Sequence, residues 1–158
     1  MEVARLVVLA LALAAPSGVF AQPADTTTGT MVFVCEHGAV KRVAATFFNQ
    51  IAAERGLNMR AVSRGTDPNA AVPAPIREGL KADGMAVNAS FSPTRMSASD
   101  FASASHVVVF DVAMPGNEKV ERWDGLPAFS DGYAAASAAI RKRVEALVGG
   151  LTAKSKKE

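Results

Sequence analysis

Cysteine and histidine are scarce in this chain of 158 residues. It contains one cysteine, Cys35, and two histidines, His37 and His106. A single cysteine excludes an intramolecular disulfide, a cysteine-based zinc site and a vicinal pair of redox cysteines. Two histidines are too few for a histidine-rich metal cage. Any chemistry of this protein therefore has to use a small set of side chains.

The chain also lacks a clear excess of one charge. It has 17 basic and 15 acidic residues, which give a net charge of +2. Such a balance argues against a dedicated nucleic-acid-binding protein, because those proteins usually carry a strongly basic face. The hydrophobic fraction of 49% is high enough for a buried core and excludes a wholly disordered chain. The length fits one domain.

A hydrophobic run long enough to cross a membrane is missing at the N-terminus. The apolar run Leu6–Ala15 has ten residues, whereas a membrane-spanning helix needs about 20. Residues 16–18 break this run, and Ala21 provides a small residue before a cleavage site, so residues 1–21 are typical of a secretory signal peptide. We expect export to the periplasm or the medium, with no stable membrane anchor after cleavage. If translation starts at Met31, the protein is instead cytoplasmic.

The remaining chain divides into three parts. Residues 22–30 are polar and predict a flexible lead-in, residues 31–151 carry the folded domain, and residues 152–158 form a charged tail. Within the domain, short apolar runs predict strands at residues 31–34, 59–63, 106–110 and 120–123. Helical spacing of apolar residues predicts helices at residues 44–56, 73–84 and 133–151, and a capping signal at residues 97–100 predicts the start of a further helix.

Strands that alternate with helices predict a single-domain α/β fold with a mostly parallel four-stranded sheet flanked by helices. Ligands bind at the carboxyl ends of the strands in such sheets. Cys35 lies there, directly after the first strand, and is followed by a short loop with Gly38 and by a helix. Loop amides and the helix dipole at this point attract an oxyanion and favour a thiolate. The alternative is that Cys35 is a small core residue.

Four motifs in order carry a family resemblance. The first is the strand and the loop that begins with Cys35. The turn Ser63–Pro68, the short loop Ser92–Arg95 and the pair Trp123–Asp124 follow it. On these motifs residues 31–151, about three-quarters of the chain, resemble the low-molecular-weight protein tyrosine phosphatases and the arsenate reductases that share their fold.

The resemblance implies a catalytic cysteine at Cys35 and a phosphate-binding loop after it. It implies no metal and no cofactor, and as partner a phosphorylated substrate or an inorganic oxyanion. It does not predict an oligomeric state. The phosphate-binding residues that it implies are Glu36, His37, Gly38, Ala39, Val40, Lys41 and Arg42.

The loop departs from the family pattern at two positions. Lys41 replaces the arginine that grips two phosphoryl oxygens at once, and an ammonium is only a point charge on a flexible stem. Arg42 replaces a serine or threonine. It is a second candidate for the missing bidentate contact, and the alternative is a solvated side chain in the first turn of the helix. His37 either lines the site or points outward.

The general acid is a further departure. The family's Asp-Pro pair falls on Ala128 and Phe129 in this chain. Asp131 lies close enough in sequence to substitute for it, and the alternative is that Asp131 caps the last helix. General acid catalysis contributes about 10²–10⁴-fold, so without it we expect activity mainly on substrates with good leaving groups.

Three functions fit these observations. The first is a phosphatase that works through a cysteinyl-phosphate at Cys35. The second is an arsenate reductase that uses a small external thiol, because the thioredoxin-coupled type needs further cysteines. The third is a catalytically weak or inactive relative that binds an oxyanion or a partner.

Overall fold

A computed structural model describes residues 29–38, 41–87, 93–114 and 118–156 of the chain. The predicted signal peptide, the first seven residues of the predicted lead-in, and the loop residues Ala39 and Val40 lie outside these ranges. The strands are β1 (Gly29–Cys35), β2 (Met59–Gly65), β3 (His106–Val109) and β4 (Val120–Arg122). The helices are α1 (Arg42–Glu54), α2 (Ala74–Ala82), α3 (Ala98–Ser103) and α4 (Tyr133–Ser155), with a 3-10 helix at Phe129–Asp131.

The four strands form one sheet in the order β2-β1-β3-β4, and every pairing is parallel. β1 pairs with β2 from Gly29 opposite Met59 to Cys35 opposite Gly65, and its other edge pairs with β3. The predicted α/β fold with a parallel four-stranded sheet is therefore confirmed. Because β1 is central and its neighbours connect in opposite directions, a crevice opens at its carboxyl end, where Cys35 lies.

One face of the sheet carries the main core. Phe33 points to this face, and its ring centroid lies 6.0 Å from that of Phe48 in α1 and 5.8 Å from that of Trp123 after β4. Ile76 of α2 and Ile140 of α4 belong to the same buried cluster. Three helices thus cover this face and fix the position of β1.

The opposite face is built from the alternate residues of the same strands. Val32 and Val34 of β1 are buried there with Val107 and Val109 of β3. The short helix α3 contributes Phe101, which is only partly buried. Because α3 has six residues, this cluster is smaller than the first.

Capping signals locate the helix ends where the sequence predicts them. The Ser97 hydroxyl accepts a hydrogen bond of 3.0 Å from the Asp100 N–H, and the Asp100 carboxylate accepts one of 2.9 Å from the Ser97 N–H. This reciprocal pair is the predicted capping box of α3. Gly56 and Gly84 follow α1 and α2 with φ of 65° and 75°, a conformation that glycine adopts without steric cost.

The structure differs from the sequence prediction at the start of β1, at the end of α4 and at the N-cap of α4. β1 begins at Gly29, so residues 29 and 30 are strand and not lead-in. α4 continues to Ser155, so the first four residues of the predicted tail are helical; Lys154 is a good helix former although it is not apolar. Gly132, not Asp131, occupies the N-cap position of α4, and no side chain caps it. No helix within the described ranges is long and apolar enough to cross a membrane.

Candidate active site

The thiol of Cys35 lies at the carboxyl end of β1 and accepts a backbone hydrogen bond. Cys35 is 7% exposed, and the Gly38 N–H donates to its sulfur over 3.0 Å. Gly38 has a φ of 71°, which allows the loop to turn back so that this amide faces the sulfur. The loop therefore directs a backbone donor at the sulfur.

The turn after β2 holds the loop in this shape. The buried Ser63 hydroxyl donates a hydrogen bond of 2.6 Å to the Gly38 carbonyl. The Thr66 N–H donates to the Cys35 carbonyl over 3.0 Å. The turn Ser63–Pro68, which reads Ser-x-Gly-Thr in its first four residues and carried part of the family resemblance, therefore supports the cysteine loop. It holds the Gly38 amide against the thiol.

Two glycines meet where the loop and this turn touch. A Cβ atom on Gly65 would lie 2.9 Å from the Gly38 nitrogen, and one on Gly38 would lie 2.9 Å from the Gly65 nitrogen. Real Cβ atoms do not approach backbone atoms this closely, so both positions require glycine. This contact, and not a ligand, explains the glycine of the Ser-x-Gly-Thr turn.

A cavity of about 440 Å³ opens above the thiol. The ends of β1 and β3 form its floor, and the segment before α4 forms the opposite wall. Its lining residues are Cys35, Glu36, His37, Lys41, Phe110, Asp111, Val112, Leu126, Pro127, Ala128, Phe129 and Ser130.

Lys41 is buried in the wall of this cavity. The residue is 8% exposed, and its Nζ lies 4.3 Å from the centroid of the Phe110 ring. Within the described part of the chain its ammonium group has no hydrogen-bonding partner. Burial lowers the pKa of Lys41 below its ordinary value of 10.5, while the charges of Cys35 and Asp111 act to raise it. A cation that lines the same cavity as a thiol and has no hydrogen bond to the described residues suits an anionic ligand.

Arg42 lies outside the Cys35 cavity. It lines a separate cavity of about 290 Å³ with Arg60 and Arg64, and it is partly buried and not fully solvated. Burial, together with the positive charge of Arg60, lowers the pKa of Arg42 to about 10. The bidentate role proposed for Arg42 stays a prediction, and this placement does not favour it.

The wall that faces the thiol contains no acidic group. Residues 126–130 line the cavity with four apolar side chains and one serine. Asp131 is exposed and does not line the cavity, and its carboxylate accepts a hydrogen bond of 3.3 Å from the Ser130 hydroxyl. The structure thus places the candidate general acid beside the site but not in it.

Asp111 is a site residue that the sequence reasoning missed. It comes directly after Phe110 at the end of β3 and lines the cavity of Cys35. Its carboxylate accepts a hydrogen bond of 3.4 Å from the Gly125 N–H. The signal was available, because Asp111 is a polar residue at the carboxyl end of a buried strand, as Cys35 is.

Glu36 and His37 form the exposed rim of the cavity. The two side chains lie 3.9 Å apart, and His37 Nδ1 is 3.1 Å from the Asp67 carbonyl. His37 therefore both lines the site and reaches outward to the turn after β2. Among the described residues, no three acidic, histidine or cysteine side chains come together as a metal site requires.

This protein is similar to known proteins in its three-dimensional structure. No protein-family model and no curated protein matches the sequence. An arsenate reductase from Archaeoglobus fulgidus is 26% identical over 75% of this chain and 98% of its own, with a TM-score of 0.60. A low-molecular-weight protein tyrosine phosphatase from Streptococcus pyogenes is 14% identical over 78% of this chain and 93% of its own, with a TM-score of 0.66.

A thioredoxin-dependent arsenate reductase from Corynebacterium glutamicum is also similar. It is 17% identical over 80% of this chain, with a TM-score of 0.64, and this chain spans 62% of its length. The chain therefore has the fold that low-molecular-weight tyrosine phosphatases and arsenate reductases share. This confirms the resemblance on which the sequence reasoning relied.

Proposed function

We propose that this protein is a cysteine-dependent phosphatase that hydrolyses phosphomonoesters through a cysteinyl-phosphate at Cys35. The observation that carries the proposal is the pairing of a thiol with a buried cation in one cavity. Cys35 accepts a hydrogen bond of 3.0 Å from the Gly38 N–H, and Lys41 lines the same cavity and donates no hydrogen bond to the described residues. A phosphoryl group supplies oxygen acceptors for the ammonium group of Lys41, which finds none among the described residues.

The reaction has two steps. The Cys35 thiolate attacks phosphorus, the S–P bond forms, and the P–O bond to the leaving group breaks; the departing oxygen takes a proton from solvent. Water then attacks phosphorus, the S–P bond breaks, and inorganic phosphate and the thiolate are released. Lys41 and backbone amides at the start of the loop after Cys35 bind the phosphoryl oxygens in both steps.

The composition of the cavity wall limits which phosphate esters fit as substrates. Phe110, Leu126 and Phe129 give it an apolar lining, and no acid in residues 126–130 protonates the leaving group. Phosphate esters with an aromatic, readily expelled leaving group fit both features, whereas alkyl phosphates fit neither. We therefore propose aryl phosphates as the substrate class.

Arsenate reduction is the second candidate, and the same wall favours it. Arsenate has no organic leaving group, so a carboxylic acid at residues 126–130 is less important for it than for a phosphate ester. Cys35 is the only cysteine of the chain. A small external thiol therefore has to attack the Cys35–arsenate adduct and supply the electrons that reduce arsenic.

Hydrolysis of para-nitrophenyl phosphate tests the proposal. We expect turnover by the wild-type protein and none by Cys35→Ser, with the folded state of both checked by fluorescence of the single tryptophan. Absence of turnover from the folded wild-type protein contradicts the phosphatase proposal. Arsenate-dependent oxidation of a small thiol, measured in the same two proteins, then separates a reductase from a protein that only binds oxyanions.

A further inference from the structure

The backbone at Asp111 has an unusual conformation. Its φ is 49°, and it is the one non-glycine residue with positive φ in the described part of the chain. Aspartate tolerates the left-handed region better than most residues, but the conformation still costs free energy. Strained residues of this kind concentrate at functional sites, and Asp111 lies in the wall of the Cys35 cavity.

Two hydrogen bonds hold Asp111 against the loop after β4. Its N–H donates to the Asp124 carboxylate over 3.3 Å, and its own carboxylate accepts from the Gly125 N–H over 3.4 Å. Gly125 itself has a φ of 69°. This double contact links both the backbone and the carboxylate of the exposed Asp111 to the loop after β4, at the edge of the cavity.

The charged groups around Lys41 are few. Cys35, Glu36 and His37 line the cavity from the end of β1 and the loop after it, and Asp111 lines it from the end of β3. The wall at residues 126–130 contributes no charge, and Arg42, the next residue in α1, lies in the other cavity. Of these groups, Cys35 and Asp111 act on Lys41 electrostatically.

The negative charges of Cys35 and Asp111 change differently during catalysis. Once Cys35 has formed its bond to phosphorus, the sulfur no longer carries a negative charge. Asp111 then acts on Lys41 together with the negative charge of the bound phosphoryl group, and its effect continues after phosphate has left. A lysine needs such a group more than an arginine does, because a buried ammonium loses its proton readily whereas a guanidinium remains charged.

We infer that Asp111 is a positioning residue that keeps the ammonium group of Lys41 charged at the oxyanion site beside Cys35. The inference rests on the proposed function in that it uses the same oxyanion site. It assigns to Asp111 no contact with the substrate. Its action passes through Lys41, so its loss changes the pH range over which the site binds an oxyanion.

The substitution Asp111→Asn tests this inference without disturbing the backbone. Asparagine adopts positive φ at least as readily as aspartate, and its carbonyl oxygen still accepts the Gly125 N–H. Asp124→Asn is the matched control, because it removes a neighbouring charge that does not line the cavity. Lys41→Arg provides a background in which the cation keeps its proton to a higher pH than an ammonium group does.

The measurement is protection of Cys35 from iodoacetamide by tungstate, a tetrahedral dianion, between pH 6 and about pH 11. The alkylation rate with tungstate is divided by the rate without it, and mass spectrometry identifies the alkylated residue. For Asp111→Asn, we expect protection to disappear at a pH lower than in the wild type by about one unit or less. Asp124→Asn should match the wild type, and Asp111→Asn in the Lys41→Arg background should cause no shift.

Three other outcomes would each contradict the inference, and they differ in what they say about the oxyanion site. An unchanged pH profile in Asp111→Asn contradicts it while the oxyanion site and the phosphatase proposal remain. A shift that persists in the Lys41→Arg background shows that Asp111 does not act through Lys41. If tungstate does not protect the wild-type protein at any pH, the oxyanion site is absent and the proposed function fails with the inference.

Discussion

At the residue scale, Lys41 is a charged side chain in a buried position that disfavours its charged form. Its side chain is buried, its ammonium group has no hydrogen-bonding partner among the described residues, and burial lowers its pKa. Contact with the face of the Phe110 ring offsets part of the cost of removing the charge from water. A residue that costs stability and faces a nucleophile is expected to be retained for binding and not for folding.

Replacement of Lys41 by methionine should therefore stabilise the protein while oxyanion protection of Cys35 is lost. We expect the free energy of unfolding at pH 7 to rise by about 1 kcal/mol, because an apolar chain of similar length replaces a buried charge. Urea denaturation, followed by the fluorescence of Trp123, measures the change. Lys142→Met is the control, since Lys142 is exposed in α4, and it should have little effect.

The pH dependence of stability provides a second measure of the same substitution. Lys41 has a lowered pKa in the folded protein, so in the window between that value and 10.5 the unfolded chain binds more protons than the folded one. The wild-type protein should gain stability as the pH rises through this window. Lys41→Met should lack this gain, and a stability loss at pH 7 would contradict the argument.

At the scale of elements, helices α2 and α4 contact each other at a glycine. A Cβ atom on Gly79 of α2 would lie 2.4 Å from the ring of Tyr133, the first residue of α4. The Tyr133 hydroxyl also donates a hydrogen bond of 2.7 Å to the Asp83 carboxylate at the end of α2. The close approach of the two helices thus depends on the absence of a side chain at Gly79.

Two glycine-to-alanine substitutions should have opposite effects for this reason. Gly79→Ala should lower the free energy of unfolding by about 1–3 kcal/mol, because the added methyl group overlaps the ring of Tyr133. Gly150→Ala should raise it by about 0.5–1 kcal/mol, because nothing lies within 4 Å of that position in α4 and alanine favours a helix. Thermal or urea denaturation of the two variants in parallel measures both effects; equal signs would contradict the packing argument.

At the scale of the whole molecule, Phe33 joins the elements that position the site. Its ring contacts the ring of Phe48 in α1. It also contacts the rings of Phe110 and Trp123, the residues that directly follow β3 and β4. Trp123 is 3% exposed and is the single tryptophan of the chain. Its fluorescence therefore reports on the packing directly beneath the Cys35 cavity.

Removal of the Phe33 ring should cost much more stability than removal of a ring on the other face. We expect Phe33→Ala to lower the free energy of unfolding by about 3–5 kcal/mol, as a cavity opens among three aromatic rings. Phe101→Ala, in the smaller cluster, should cost about half of this or less because Phe101 is only partly buried. Urea denaturation monitored by tryptophan fluorescence gives both values, and equal losses would be evidence against an unequal division of the core.

Local patterns in the sequence determined much of this protein. Apolar runs and helical spacing predicted the strands and the helices, and their alternation predicted the parallel sheet, because each element needs one buried face of characteristic period. The presence of Asp100 three residues after Ser97 was sufficient to predict the start of α3. The position of Cys35 after a buried strand predicted the place of the site.

Tertiary structure decided which side chains meet at that place. Lys41 and Arg42 are neighbours in sequence at the start of α1, but they line different cavities, and only the docking of α1 on the sheet determines which of them reaches the Cys35 cavity. Asp111 comes to the site because β3 pairs with β1, a long-range contact that no local pattern encodes. Which charges share a cavity depends on strand order and helix rotation, and these are set by the packing of the whole core.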